Sequence, residues 1–299
     1  MKVHLDCFPC FYRQAVIAAR LGTKDAALQE ALLTGVADEI KATDFSRSPA
    51  YSTTFLHRKI RQILGRDPFE EIKAEYNRIA LGLYPELSAR VRESADPLWT
   101  ACRLAIAGNI IDFGIFTSVD IAGTIDRALH HPLTIDEYPL FKEALARHED
   151  ILYLLDNAGE IVFDRILIEA LLEAGKRVAV VAKGSPVLND ATMEDAREAG
   201  LTGITEVIDN GSDCIGTILE MTSLGFNRAF AGARLVISKG QGNFETLWDT
   251  PPQLLAVPPE GDRRLFFLFQ SKCDVVAAAL GLARGSMLLL SAETLFKGL

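Results

Sequence analysis

The chain has 299 residues, 49% of them hydrophobic and 24% charged, with a formal net charge of −9. That composition suits a globular protein of one or two domains, and the acidic balance, with no dense basic patch, argues against nucleic acid as a partner. No apolar run approaches a membrane span, no signal-peptide core opens the chain, and five cysteines do not form a secreted disulfide framework. A reducing, cytoplasmic setting without membrane attachment is therefore expected.

Cys7-Phe8-Pro9-Cys10 comes just before the helical stretch Phe11 to Leu21. A two-residue spacer lets two thiols meet one metal or form a redox pair, although buried structural cysteines fit the same pattern. From Asp25 to about Leu145 the apolar residues recur at helical spacing over Ala26–Ile40, Thr54–Leu64 and Phe69–Leu83, and no strand is expected. Ser48-Pro49, Asp67-Pro68 and Tyr84-Pro85 fit helix boundaries, Asp67 serving as a cap before proline. A helix over Leu98–Ala107 should end at Gly108, followed by a turn that carries Asn109 and Asp112. Thr134 to Asp136 should open a further helix that runs from Tyr138 to Arg147.

From Ile151 the pattern changes to alternating strand and helix. Strands are predicted at Ile151–Leu155, Val178–Ala182, Ile204–Ile208, Leu235–Ser238 and Leu265–Phe269, with a last one at Ser286–Leu290. This is the pattern of an α/β fold with a doubly wound, mainly parallel sheet. The expected organisation is a helical N-terminal subdomain over residues 1–100 and an α/β core over 101–299 that binds metal and phosphate.

The first of these strands stops at Asp156-Asn157-Ala158-Gly159-Glu160. Open α/β sheets place ligands at the carboxyl ends of strands, and two adjacent oxygen donors there suit a hard divalent cation. Asn157 with Glu160 three residues on is equally a helix cap with its capping-box partner, a reading that leaves Asp156 unexplained. Asp190, in the loop after the second strand, is either a helix cap or a third oxygen ligand. After the fourth strand, Ser238-Lys239-Gly240-Gln241-Gly242-Asn243 sets a lysine beside accessible backbone N–H groups, a phosphate cradle that matches no Walker loop. There is no Gly-x-Gly-x-x-Gly after the first strand. Strand ends in a parallel sheet share one edge, so Asp156, Asn157, Asp190 and Lys239 should converge as a constellation for metal-assisted phosphoryl chemistry. Cys273 follows the fifth strand.

These stretches, with Asp67-Pro68-Phe69, Gly108-Asn109-Ile110-Ile111-Asp112, Leu188-Asn189-Asp190-Ala191-Thr192, Asn243-Phe244-Glu245 and Lys272-Cys273, run in order along the chain. In them the chain resembles the damage-control phosphatases, also described as acidic-residue methyltransferase-like, and the paired cysteines look like its archaeal and bacterial branch. The resemblance implies hydrolysis of phosphate esters, such as sugar phosphates or damaged phosphometabolites. It implies a divalent metal, Mg²⁺, Mn²⁺, Co²⁺ or Ni²⁺, held by Asp156, Asn157 and Asp190, with Lys239 on the substrate phosphate and Asn109 and Asp112 lining the pocket. Asp156 and Lys239 are the expected catalytic pair, as nucleophile or water-positioning carboxylate and as charge stabiliser. Glu160 and Gly240 complete the expected substrate contacts. Cys7, Cys10 and Cys273 are expected to form a separate thiolate cluster. A carboxyl methyltransferase and a non-catalytic phosphometabolite-binding protein are the alternatives, the first weakened by the missing glycine fingerprint.

Overall fold

The computed structural model describes residues 1–110, 121–248 and 264–297. Helices α1 (Cys7–Gly22), α2 (Ala26–Gly35), α3 (Ala37–Lys41), α4 (Pro49–Leu64) and α5 (Glu70–Glu93) come first, then α6 (Pro97–Ile110) and α7 (Ile121–His130). Phe11, Ala15 and Ala18 of α1 meet Leu32, Leu56 and Ile60 in a small core of their own. Next come β1 (Ile135–Asp136), α8 (Tyr138–Arg147), β2 (Asp150–Leu154), α9 (Glu160–Glu173), β3 (Arg177–Ala182), α10 (Met193–Glu198) and β4 (Glu206–Asp209). The chain continues through α11 (Leu224–Gly232), β5 (Leu235–Lys239), α12 (Gln241–Trp248), β6 (Arg264–Gln270), α13 (Asp274–Ala279), β7 (Met287–Ser291) and α14 (Ala292–Lys297).

Among the described residues the strands form one seven-stranded sheet in the order β1-β7-β6-β5-β2-β3-β4. Every neighbouring pair is parallel except β6 with β7. Helices cover both faces, so the strands read as continuous apolar runs. Tyr153, Val180, Ile237 and Phe266 face one core with α6 and α9, while Leu152, Leu154, Val236 and Phe267 face the other with Phe226, Phe230 and Phe244. The alternation is the period-two pleat of a strand. Successive strands run outward from β2 to β3 and β4, and the chain then returns to lay β5 against the other side of β2. The crevice between the carboxyl ends of β2 and β5 is thus the topological switch point, where such sheets bind ligands.

Several local expectations change. The helix expected from Ala26 to Ile40 is two helices, α2 and α3, and α1 begins four residues earlier than expected, at Cys7. Helix α5 runs through Pro85 instead of stopping at Tyr84-Pro85. Burial of Ala80, Leu87 and Val91 on both sides of the proline holds the helix against the backbone hydrogen bond that proline removes. Gly108 lies inside α6, where an added Cβ would stand 2.9 Å from Phe163 Cβ, so the glycine serves close packing of α6 on α9. Asn109 consequently sits on the last turn of a helix, not in a loop; Asp112 lies outside the described residues. Ile135–Asp136 is a two-residue strand, not a helix start, because it pairs with Leu288 and Leu289 of β7.

Glu245 of α12 is buried, with Gln241 Nε2 donating to its Oε1 at 2.8 Å. Burial pushes its carboxyl up to about 7 from the ordinary 4.5. A raised folded-state value means that its contribution to stability is fully present below about pH 4.5 and is lost as pH rises through about 7. Glu245→Gln should remove this decline and exceed the wild type in stability above pH 7 by on the order of 3 kcal/mol. Urea unfolding of both proteins from pH 4.5 to 8 measures it; parallel profiles would refute the assignment.

Candidate active site

Backbone hydrogen bonds build the site before any side chain is considered. Ala191 N–H donates to Asp156 O at 2.8 Å and Ala158 N–H to Asn189 O at 2.8 Å, stitching the loop after β3 to the turn after β2. Asn157 and Asp190 face each other as an isolated bridge. Leu188, at φ 46°, adopts the left-handed conformation that side chains avoid, two residues before Asp190. Asn243 joins the other half: its Nδ2 donates to Leu155 O at 3.0 Å and to Lys239 O at 2.8 Å, tying the ends of β2 and β5 together.

On this frame the polar side chains form one network. Asp156 Oδ2 accepts from Asn109 Nδ2 at 3.0 Å and from Asn157 Nδ2 at 2.6 Å. Glu160 Oε2 accepts from the same two groups, each at 2.9 Å. Asn109 Oδ1 in turn accepts from Gln270 N–H at the end of β6. Neither Asn157 nor Asp190 caps a helix with its side chain. Gly159 occupies the cap position of α9, its N–H donating to Asn77 Oδ1 at 2.7 Å, and Thr192 with Asp195 forms the capping box of α10.

Lys239 is fully buried, and its ammonium donates to Glu160 Oε1 at 2.7 Å, Asp164 Oδ1 at 2.5 Å and Ala105 O at 2.8 Å. Three protons thus meet three protein acceptors, and in this arrangement the ammonium offers none to a substrate. Asp164 also accepts from Tyr153 Oη at 2.8 Å. A second buried lysine, Lys183, stands 3.3 Å from Asp190 Oδ2 and donates to the carbonyls of Cys214 and Gly216. Lys272 is half-buried, its charge acts on both Asp156 and Glu160, and among the described residues its ammonium has no protein partner. Asp164, Tyr153, Lys183 and Lys272 were missed as site residues. Of these only Lys183 and Lys272, each just past an apolar run, carry a sequence signal like that of Lys239.

Burial, followed by the charges of Glu160 and Asp190, holds the Asp156 carboxyl well above the usual carboxylate range. Burial opposes ionisation of Glu160 too, but Lys239 and Lys272 outweigh it and keep this carboxyl low. Burial raises Asp190 against the pull of Lys183. Four buried carboxyl groups, Asp156, Glu160, Asp164 and Asp190, therefore face two buried lysines.

This donor set fits a hard divalent cation. Asp190 Oδ2 is buried without an aligned hydrogen bond, and Asn157 Oδ1 has no hydrogen-bond partner among the described residues. Asp156 Oδ1 is likewise outside the amide contacts that saturate Oδ2. Two carboxylates and one carboxamide carbonyl are oxygen ligands of the type that Mg²⁺ and Mn²⁺ take. Among the described residues no group of three or more His, Cys, Asp or Glu side chains could hold a metal ion by itself, the carboxamide being the third donor here. Cys7 and Cys10 lie in the first turn of α1 and Cys273 precedes α13. Burial pushes the Cys7 thiol up to about 11, with Glu245, Cys273 and Cys10 adding to the effect. A cavity of about 180 Å³ lined by Leu140, Arg147, Phe266 and Glu293 shares no residue with this site.

Residues 3–288 match the family model of the damage-control phosphatase ARMT1-like domain. A protein of Methanocaldococcus jannaschii is 35% identical over 97% of this chain and 95% of its own length. The damage-control phosphatase PH1575 of Pyrococcus horikoshii is 32% identical over 96% of this chain and 97% of its own. A damage-control phosphatase of Archaeoglobus fulgidus is also 32% identical, over 96% and 98%. The crystal structure of the Pyrococcus protein, described as a DUF89 family protein, superposes with a TM-score of 0.85 over 97% of this chain and 99% of that one.

Gly240 is the residue on which the geometry leaves least room. Its φ is +78°, and an added Cβ would fall 1.9 Å from Asp156 Oδ2. Gly240→Ala should therefore displace the Asp156 carboxylate and cost about 1–3 kcal/mol through the left-handed backbone alone. Denaturant unfolding and turnover measured together check this; a variant with wild-type stability and activity would refute it.

Proposed function

The chain belongs to the ARMT1-like damage-control phosphatase family, and from that premise we propose that it hydrolyses phosphate monoesters of small metabolites with a divalent cation held by Asp156, Asn157 and Asp190. The observation that carries the reading is the meeting of these oxygen donors at the switch point between β2 and β5, in a site with more buried carboxyl groups than lysines. The physiological ester belongs to the class of sugar phosphates and damaged phosphometabolites, and Mg²⁺, Mn²⁺, Co²⁺ and Ni²⁺ are the candidate ions. Among the described residues no helix is long and apolar enough to cross a membrane.

A bound divalent cation supplies Lewis-acid neutralisation of a phosphoryl oxygen. The chain's own groups do the rest. Lys272, with its ammonium uncommitted among the described residues, neutralises a second phosphoryl oxygen as charge develops. Asp156 orients the attacking water with the lone pair of Oδ1 that the cation would leave free, its Oδ2 being held by the two carboxamides. As the water oxygen bonds to phosphorus and the ester P–O bond breaks, the water proton passes to Asp156, and the departing alkoxide on the opposite side takes its proton from solvent. Asn109 and Glu160 keep Asp156 aimed, Gly240 leaves its carboxylate room, and Lys239 balances the buried charge behind it. The thiols of Cys7, Cys10 and Cys273 take no part in this chemistry.

Chelation should reduce hydrolysis of p-nitrophenyl phosphate by about 100-fold or more, and added Mn²⁺, Mg²⁺, Co²⁺ or Ni²⁺ should restore it. Asp190→Asn should weaken Mn²⁺ binding about tenfold or more, measured by calorimetry; unchanged affinity and turnover would remove Asp190 from the site. Lys272→Met should lower kcat/KM by about tenfold or more while leaving Mn²⁺ affinity near the wild type, the loss falling in kcat if the contact acts on developing charge. Wild-type kcat/KM in this variant would exclude the lysine.

A further inference from the structure

Asn109 and Asn157 hold their NH₂ groups against carboxylates, and this decides where their carbonyl oxygens point. A carboxamide is nearly symmetric in shape, so its orientation is set by the polarity of its neighbours. Asn157 Nδ2 donates to Asp156 Oδ2 at 2.6 Å and to Glu160 Oε2 at 2.9 Å, which leaves Oδ1 as the free end of the amide. Of these two acceptors Asp156 is itself a cation ligand in the reading above, with its charge shared. Glu160 is not, and it is buried and clamped: Lys239 donates to its other oxygen at 2.7 Å, while Asp164 and the Ala105 carbonyl hold Lys239 in turn.

We infer that Glu160, clamped by Lys239, is a positioning residue that fixes the orientation of the Asn157 carboxamide and so presents Asn157 Oδ1, rather than its NH₂, as a cation ligand. The inference rests on the cation-holding role proposed for Asn157. A capping role for Glu160 is not what the geometry shows, since its oxygens go to Lys239, Asn109 and Asn157. Nor does Glu160 have an oxygen left for substrate, because both are occupied. Its influence on the reaction passes through the amide it turns.

The clamp makes the inference testable by reversing one hydrogen bond. In Glu160→Gln the new carbonyl oxygen must face Lys239, whose ammonium can only donate, so the new NH₂ faces Asn157. Three NH₂ groups, of the glutamine, Asn157 and Asn109, then meet at one point, and this repulsion opposes the bond from Asn157 to Asp156 Oδ2; when Asn157 turns over, its own NH₂ replaces Oδ1. Mn²⁺ alone is the probe. Its dissociation constant in Glu160→Gln should rise about tenfold or more, as expected for loss of a residue that orients a ligand. Adding Asn157→Asp restores an acceptor opposite the glutamine NH₂ and conserves net charge, and an Asp ligand presents oxygen whichever way it turns. The double variant should bind Mn²⁺ at least tenfold more tightly than Glu160→Gln.

Calorimetric titration of Mn²⁺ into wild type, both single variants and the double variant, with thermal unfolding of each, decides the matter. Wild-type affinity in Glu160→Gln overturns the inference, as does a double variant whose gain over Glu160→Gln is no larger than the gain of Asn157→Asp over the wild type. A purely structural Glu160 would lower the unfolding temperature and would let Asn157→Asp change Mn²⁺ affinity by the same factor in both backgrounds. If Glu160→Gln does not fold, the double variant is judged against the wild type: Mn²⁺ affinity within tenfold supports the inference, and a greater loss overturns it. A wild-type protein that neither binds Mn²⁺ nor hydrolyses p-nitrophenyl phosphate overturns the cation reading itself, and the inference with it. Wild-type binding with an indifferent Glu160→Gln overturns the inference alone.

Discussion

A fully buried ammonium holds this site together. Lys239 ends β5, and its three protons reach the Ala105 carbonyl of α6 and the Glu160 and Asp164 carboxylates of α9. A charge in such a place is tolerated only when every proton finds an acceptor, because removing one partner leaves an uncompensated buried charge worth several kcal/mol. The same requirement fixes the approach of α6 to α9, which Gly108 permits, and the depth of both helices on the sheet. Tyr153 of β2 extends the chain of contacts by donating to Asp164. Four elements, α6, β2, α9 and β5, are thereby locked into one geometry behind the candidate site.

That lock sets the shape of a site rich in carboxylates. Asp156 and Asp190 are buried against each other's charge and against Glu160, which pushes Asp156 well above the ordinary carboxylate range. Lys239 and Lys183 each answer one side of the site, and neither faces it as a ligand for substrate. Among the described residues, Lys272 is half-buried with its ammonium uncommitted, and its charge acts on Asp156 and Glu160. The division of labour is physical: buried lysines hold carboxylates in place, and the half-buried Lys272 is the one we propose for an incoming anion.

The sheet has the strand order familiar from dinucleotide-binding folds, with β2, β3 and β4 on one side of the switch point and β5 and β6 on the other. It uses the crevice differently. In place of a glycine-rich turn presenting a helix N-terminus to a pyrophosphate, the turn after β2 carries Asp156 and Asn157, and the glycine that matters is Gly240, across the crevice, whose missing side chain leaves space for the Asp156 carboxylate. One architecture thus serves a different chemistry through the residues at its edge.

Much of this was legible in the sequence. Continuous apolar runs between helical stretches gave the parallel sheet strand by strand, since burial on both faces leaves a local record. The position of Asp156, Asn157, Asp190 and Lys239 after those runs placed them on one edge, because parallel strands must end together. What the tertiary structure decided is direction and partnership. Lys239 turns inward because Glu160, Asp164 and Ala105 wait there, and Asp164 and Tyr153 gave no signal of their own beyond being part of a helix and a strand. Asn109 lies on a helix because α6 continues through Gly108 to pack on α9, and Ile135–Asp136 is a strand because β7 offers it an edge. Local periodicity records whether a residue is buried; which group it meets there is set by distant residues, 134 positions apart for Lys239 and Ala105 and 161 for Asn109 and Gln270, and only the folded chain brings them together.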